Sequence, residues 1–179
     1  MAKIKVASDW LAACAGCHMS LLDIDERILT LLEYVDLDAT PITDLKHPNP
    51  DGVDVGILSG AVNNTTNKAV TEQMRERCQI LIALGDCAVF GGIVTMRNLS
   101  GTEEALRRAY IESESTVDGK IPSSPELGRA IETRAVDQVV PVDVYLPGCP
   151  PSADAIWFVL TELLAGRKPE LEGENLKYD

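Results

Sequence analysis

Along the chain, apolar positions change period in a way that separates strands from helices. Val53-Asp54-Val55-Gly56-Ile57-Leu58 and Gln79-Ile80-Leu81-Ile82-Ala83-Leu84 are short apolar runs bounded by glycine-containing turns, the pattern of strands buried on both faces of a parallel sheet. Lys3 to Ser8 reads as the first strand. Leu21, Ile24, Ile28, Leu31 and Val35 instead recur at steps of three and four, which predicts one helix over this stretch, widened by Leu22, Leu29 and Leu32. Ser20 is placed to cap that helix, with Asp23 three residues on where a capping box expects an acid. Thr65 to Cys78 is polar and helix-compatible, and supplies the crossover that two parallel strands require. Val139 to Leu146 reads as a last strand with an edge-like start at Pro141. A helix follows from about Ser152, burying Ile156, Val159, Leu160, Leu163 and Leu164 and stopping at Gly166 before Pro169.

This alternation predicts an α/β fold, an open parallel sheet with helices on both faces. The 179 residues fit one domain. From Arg97 to Gln138 the clear helix is Thr102 to Tyr110, and an irregular excursion is expected at about 111–138, too long for an ordinary loop. A short tail follows the last helix.

Composition narrows the partners. A formal net charge of −12, with Lys and Arg scattered, argues against a phosphate backbone, so no nucleic acid is expected. No apolar run reaches the roughly 18 residues of a membrane helix, so no membrane is expected either. Met1-Ala2-Lys3 leads directly into a strand without the features of a secretory signal, which points to the cytoplasm.

Five cysteines in a reducing compartment are not a disulfide framework. Cys14 and Cys17 follow the first strand, Cys87 comes shortly after Leu84, and Cys149 shortly after Leu146. All four sit after strand ends, and in an open parallel sheet those ends share one edge, where ligands bind. Cys78 precedes its strand, which puts it about 20 Å away at the opposite edge as a packed thiol. Gly16, Gly85, Gly91, Gly92 and Gly148 let the backbone approach a bulky inorganic group, while Pro150 and Pro151 stiffen the last turn. Four cysteinates suit an iron–sulfur cluster or a zinc ion, and CAGC alone would suit a dithiol, although that leaves Cys87 and Cys149 without a role.

The segments W-L-A-A-C-A-G-C-H-M-S-L-L-D-I-D-E-R-I-L, A-L-G-D-C-A-V-F-G-G and Y-L-P-G-C-P-P-S-A-D-A-I resemble the small subunit of the bidirectional, NAD-reducing NiFe hydrogenases, nearly end to end. The resemblance implies a flavodoxin-like domain with one [4Fe–4S] cluster on Cys14, Cys17, Cys87 and Cys149. It also implies a separate large subunit holding the NiFe(CN)2CO site, and diaphorase-type iron–sulfur and flavin subunits that reduce NAD. No catalytic residue is expected here, and the flavodoxin-like form leaves FMN at the same sheet edge as a further option. Periplasmic relatives carry two further clusters C-terminally and tend to have a glutamate just after the C-x-x-C, where this chain has His18-Met19, so that proton role is not carried over. Respiratory complex I has a similar G-C-P-P turn but adjacent cysteines, unlike CAGC. The alternatives are a complex I-like or deazaflavin- or ferredoxin-linked hydrogenase subunit, and a zinc-stabilised interaction module.

Other residues have plainer readings. His18 is placed to tune or hydrogen-bond a cluster, or to serve as a capping or interface histidine, and His47 is a solvated loop residue. Trp10 and Phe90 flank ligand loops and either shield or merely pack. Asp23, Asp25, Glu26 and Glu33 read as a charged helix face, with Asp23 and Arg27 at i,i+4 spacing.

Overall fold

In a computed structural model, residues 3–176 are described. These described residues form seven strands: β1 (Ile4–Trp10), β2 (Val35–Ala39), β3 (Val53–Ser59), β4 (Val62–Asn64), β5 (Cys78–Leu84), β6 (Ala130–Arg134) and β7 (Val144–Leu146). Between them run α1 (Gly16–Leu22), α2 (Arg27–Tyr34), α3 (Thr65–Arg77), α4 (Asp86–Phe90), α5 (Arg97–Ser100), α6 (Thr102–Tyr110) and α7 (Ala153–Leu164).

The main sheet is parallel throughout, in the order β2-β1-β3-β5-β7. With β4 and β6, which pair with each other, set aside, this is the flavodoxin-like order, as predicted. Because β3 and β5 are central, both of their faces are buried, and two apolar layers flank the sheet. One gathers Leu58, Leu81, Met74 and Val136, the other Ile57, Ile82, Leu84, Ile156 and Val159. Alternate residues of one strand serve opposite layers, which explains why these runs are continuously apolar.

Five expectations are corrected. The helix predicted across Leu21 to Val35 is two helices separated by a turn at residues 23–26, and Val35 opens β2, a strand the sequence reading missed. Ser20 is no cap: it is buried inside α1, and its hydroxyl donates to the Pro151 carbonyl at 2.5 Å. Asp23 does not hold Arg27, whose guanidinium pairs with Asp154 at 2.8 Å. The excursion carries no regular element from 112 to 129, but Ala130–Arg134 forms β6, antiparallel to β4. The last strand is also shorter than predicted, because residues 136–138 make a 310 turn and pairing with β5 begins at Val144. The other predicted crossovers hold: α3 is capped by the Asn64 side chain and α7 by Ser152.

Candidate iron–sulfur site

Four thiols meet at the carboxyl edge of the sheet because the strands that precede them run parallel. Cys14 and Cys17 lie on the turn and first helical residues after β1, Cys87 on α4 directly after β5, and Cys149 in the loop after β7. Cys78 starts β5 and is buried at the far edge, its Sγ against Gly56.

Backbone hydrogen bonds lock these loops together. The Gly85 N–H donates to the Leu146 carbonyl at 2.7 Å and the Asp86 N–H to the Gly148 carbonyl at 2.9 Å. In return the Gly148 N–H donates to the Asp86 carboxylate at 2.7 Å, so the Cys87 and Cys149 loops are cross-braced. Ser20 joins α1, which bears Cys17, to the residue that follows Cys149-Pro150, a cis peptide. On the other side, Ala12 and Ala61 exchange two backbone bonds of 3.0 Å, which fixes the loop leading to Cys14 against the end of β3.

The thiols are close enough to sense one another. Burial pushes the Cys17 thiol up to about 12, and the charges of Cys87, Cys14, Cys149 and Asp86 add to that effect in turn. Burial also raises the Cys87 thiol, followed by the charges of Cys149 and Cys14. Cys17 and Cys87, which resist ionisation unaided, are thiols that a cationic metal group would stabilise as thiolates. Two glycines show how tightly the backbone wraps this point. A Cβ on Gly85 would stand 2.2 Å from Cys17 Sγ, and one on Gly92 would stand 2.8 Å from Cys87 Sγ; both have positive φ. Cys14 and Cys149 are exposed, so the group they face lies toward the surface.

His18 turns out to be fully buried. Its Nδ1 lies 3.1 Å from Ser59 Oγ, its ring meets Trp10 edge-on at 5.5 Å, and burial lowers its pKa to about 4, so it stands as a neutral imidazole tying α1 to the ends of β1 and β3. Trp10 is partly exposed and packs on that ring, whereas Phe90 is 64% exposed. His47 is in an exposed loop, as predicted, and Asp23, Asp25, Glu26 and Glu33 are all exposed. Ser20 and Asp86 are the residues that sequence reasoning missed: a local pattern cannot reveal a bond to the Pro151 carbonyl or to the Gly148 N–H.

Residues 14–163 match the family described as NADH ubiquinone oxidoreductase, 20 Kd subunit. Over 99% of its length the chain is 41% identical to the NAD-reducing hydrogenase HoxS subunit delta of Cupriavidus necator, covering 86% of that protein. The chain belongs to the small-subunit family of the NAD-reducing NiFe hydrogenases. A solved NAD+-reducing [NiFe]-hydrogenase in its H2-reduced state contains a chain that superposes with a TM-score of 0.94 at 39% identity, covering 99% of this chain and 100% of that one. An F420-non-reducing hydrogenase subunit from Methanothermobacter marburgensis is 36% identical over 97% of this chain, which spans 58% of that longer protein. Members of the hydrogenase small-subunit family are iron–sulfur subunits, and the active site is borne by a partner. Among the described residues no helix is long and apolar enough to cross a membrane.

Proposed function

We propose that this chain is the electron-transferring small subunit of a cytoplasmic NiFe hydrogenase, holding one [4Fe–4S] cluster on Cys14, Cys17, Cys87 and Cys149. Such a complex would couple H2 + NAD+ to NADH + H+. The observation that carries the reading is the convergence of four thiols, from loops far apart in sequence, at one cross-braced sheet edge. Four sulfurs are the donor set of a cubane cluster. A zinc ion would need its ligands drawn in to about 2.3 Å from a single point.

When bound, the cluster supplies one-electron redox chemistry. The chain's own contribution is to fix the cluster's place, crowd out water and direct backbone N–H groups at its sulfurs, all of which tune reduction potential. Gly85 and Gly92 allow the close approach, and Asp86, Ser20 and Gly148 hold the loops in register. The sheet edge where a flavodoxin-like fold would take a flavin carries these thiols instead, so we assign the flavin to a diaphorase-type partner.

The partner with the NiFe(CN)2CO site is the hydrogenase large subunit. Phe90, Ile93, Met96 and Leu99 recur every three residues after Cys87 and are between 60% and 86% exposed. An apolar strip of this kind beside a redox centre is suited to a permanent partner and to the short distance that electron transfer demands. NAD is favoured as final acceptor because the NAD-reducing relative is matched over 86% of its length, against 58% for the F420-non-reducing one.

The test is a pair of cysteine variants in the native complex. Cys87→Ser is expected to lose the cluster's iron, labile sulfide and paramagnetic signal, along with electron transfer, while Cys78→Ser retains all of them. Equal iron loss from the two would overturn the ligand assignment.

A further inference from the structure

Asp86 stands between the two loops that carry Cys87 and Cys149. It opens α4 directly before Cys87, and its carboxylate accepts from the N–H of Gly148, the residue before Cys149, at 2.7 Å. The Asp86 N–H donates in return to the Gly148 carbonyl at 2.9 Å. On the side chain this brace needs only an acceptor, and a neutral amide oxygen would serve as well as a carboxylate. An acid in the first turn of a helix is also favoured by the helix dipole, but α4 runs only from Asp86 to Phe90 and supplies little of that field. Neither the brace nor so short a helix calls for a charge.

That charge reaches across the thiol edge. After burial and the neighbouring thiols, it adds to the rise of both Cys17 and Cys87. Gly85, the residue before Asp86, is packed so closely on Cys17 that a Cβ there would stand 2.2 Å from its Sγ. The carboxylate is thus tied by sequence to Cys87, by a hydrogen bond to the residue beside Cys149, and by its preceding neighbour to Cys17. Reduction adds negative charge to a cluster held by four thiolates. A fixed anion in partly buried, low-dielectric surroundings opposes that step and lowers the potential.

We propose that Asp86 has two separable tasks at the four-cysteine cluster, on which this inference rests: its oxygen braces the Cys87 and Cys149 loops, and its negative charge holds the reduction potential down. Asp86→Asn separates them, because the amide oxygen still accepts from the Gly148 N–H while the charge is gone. Iron and labile sulfide are measured in the anaerobically purified complex, and the midpoint potential by a redox titration followed through the paramagnetic signal. The signal that disappears in Cys87→Ser identifies the resonance to follow. Asp86→Asn should keep wild-type iron and sulfide and move the midpoint to a more positive value. Asp86→Ala, which removes the acceptor as well, should lose iron and sulfide. An unmoved midpoint in Asp86→Asn with a full cluster would overturn the electrostatic task, and full retention of the cluster by Asp86→Ala would overturn the bracing one. Loss of the cluster from Asp86→Asn would show that the two cannot be separated and would also overturn the proposal. A wild-type complex whose iron and sulfide are unaffected by Cys87→Ser would instead refute the cluster assignment itself, a failure distinct from these.

Discussion

Gly85 illustrates how narrowly a single residue can be specified. Its φ is +83°, and a methyl group there would lie 2.2 Å from Cys17 Sγ. Gly101 has nearly the same backbone, φ +85°, but nothing within 4 Å of where its Cβ would be. Both would be strained by alanine to a similar degree, roughly 1 kcal/mol or more. Gly85→Ala should therefore empty the site of iron and sulfide, while Gly101→Ala keeps both at wild-type levels; the two variants separate close approach from backbone strain. The cysteines themselves were legible in the sequence because each follows a legible strand end. The braces around them were not. Ser20 followed by an acid three residues on is a genuine local capping signal, but inside α1 the hydroxyl is taken by the Pro151 carbonyl, and tertiary contact overrides local pattern.

Among the elements, β5 and β7 are joined at their start by a side chain as well as by the ladder. The Asp143 carboxylate accepts from the Leu81 N–H at 2.8 Å and from Arg75 at 2.6 Å, while the Asp143 N–H donates to the Leu81 carbonyl. Burial works to raise this carboxyl, but the Leu81 N–H and the Arg75 guanidinium outweigh it and hold the acid below its usual range. A carboxyl lowered on folding adds stability that is present above about pH 4 and is lost as pH falls through the folded value. The side chain is 46% exposed, so solvent screening limits the effect to less than about 1 kcal/mol. Asp143→Asn should lower the melting temperature at pH 7 and flatten the loss of stability below pH 4; identical acid limbs for the two proteins would refute this. The same scale explains which elements were legible. β3 and β5 announce themselves as unbroken apolar runs because both faces are covered. The edge strand β2 does not, since Val35-Asp36-Leu37-Asp38-Ala39 continues the preceding helical spacing and exposes Asp36 and Leu37. β6 was hidden in a polar excursion because its only ladder is with β4, outside the main sheet.

Across the whole molecule, parallel topology turns four sequence-distant cysteines into one site, and the chain leaves an apolar strip beside it. Both features suit partners: the proposed cluster edge is exposed at Cys14 and Cys149, and Ile93 and Leu99 are 74% and 86% exposed. That this chain serves as a link between two redox centres is therefore a claim about an assembly. Iron, labile sulfide, nickel and zinc measured in the anaerobically purified complex containing this chain test it most directly. The account predicts nickel together with iron and sulfide, and loss of about four irons and four sulfides per complex on Cys87→Ser, the content of one cubane cluster. Zinc without sulfide, or iron and sulfide without nickel, would contradict it.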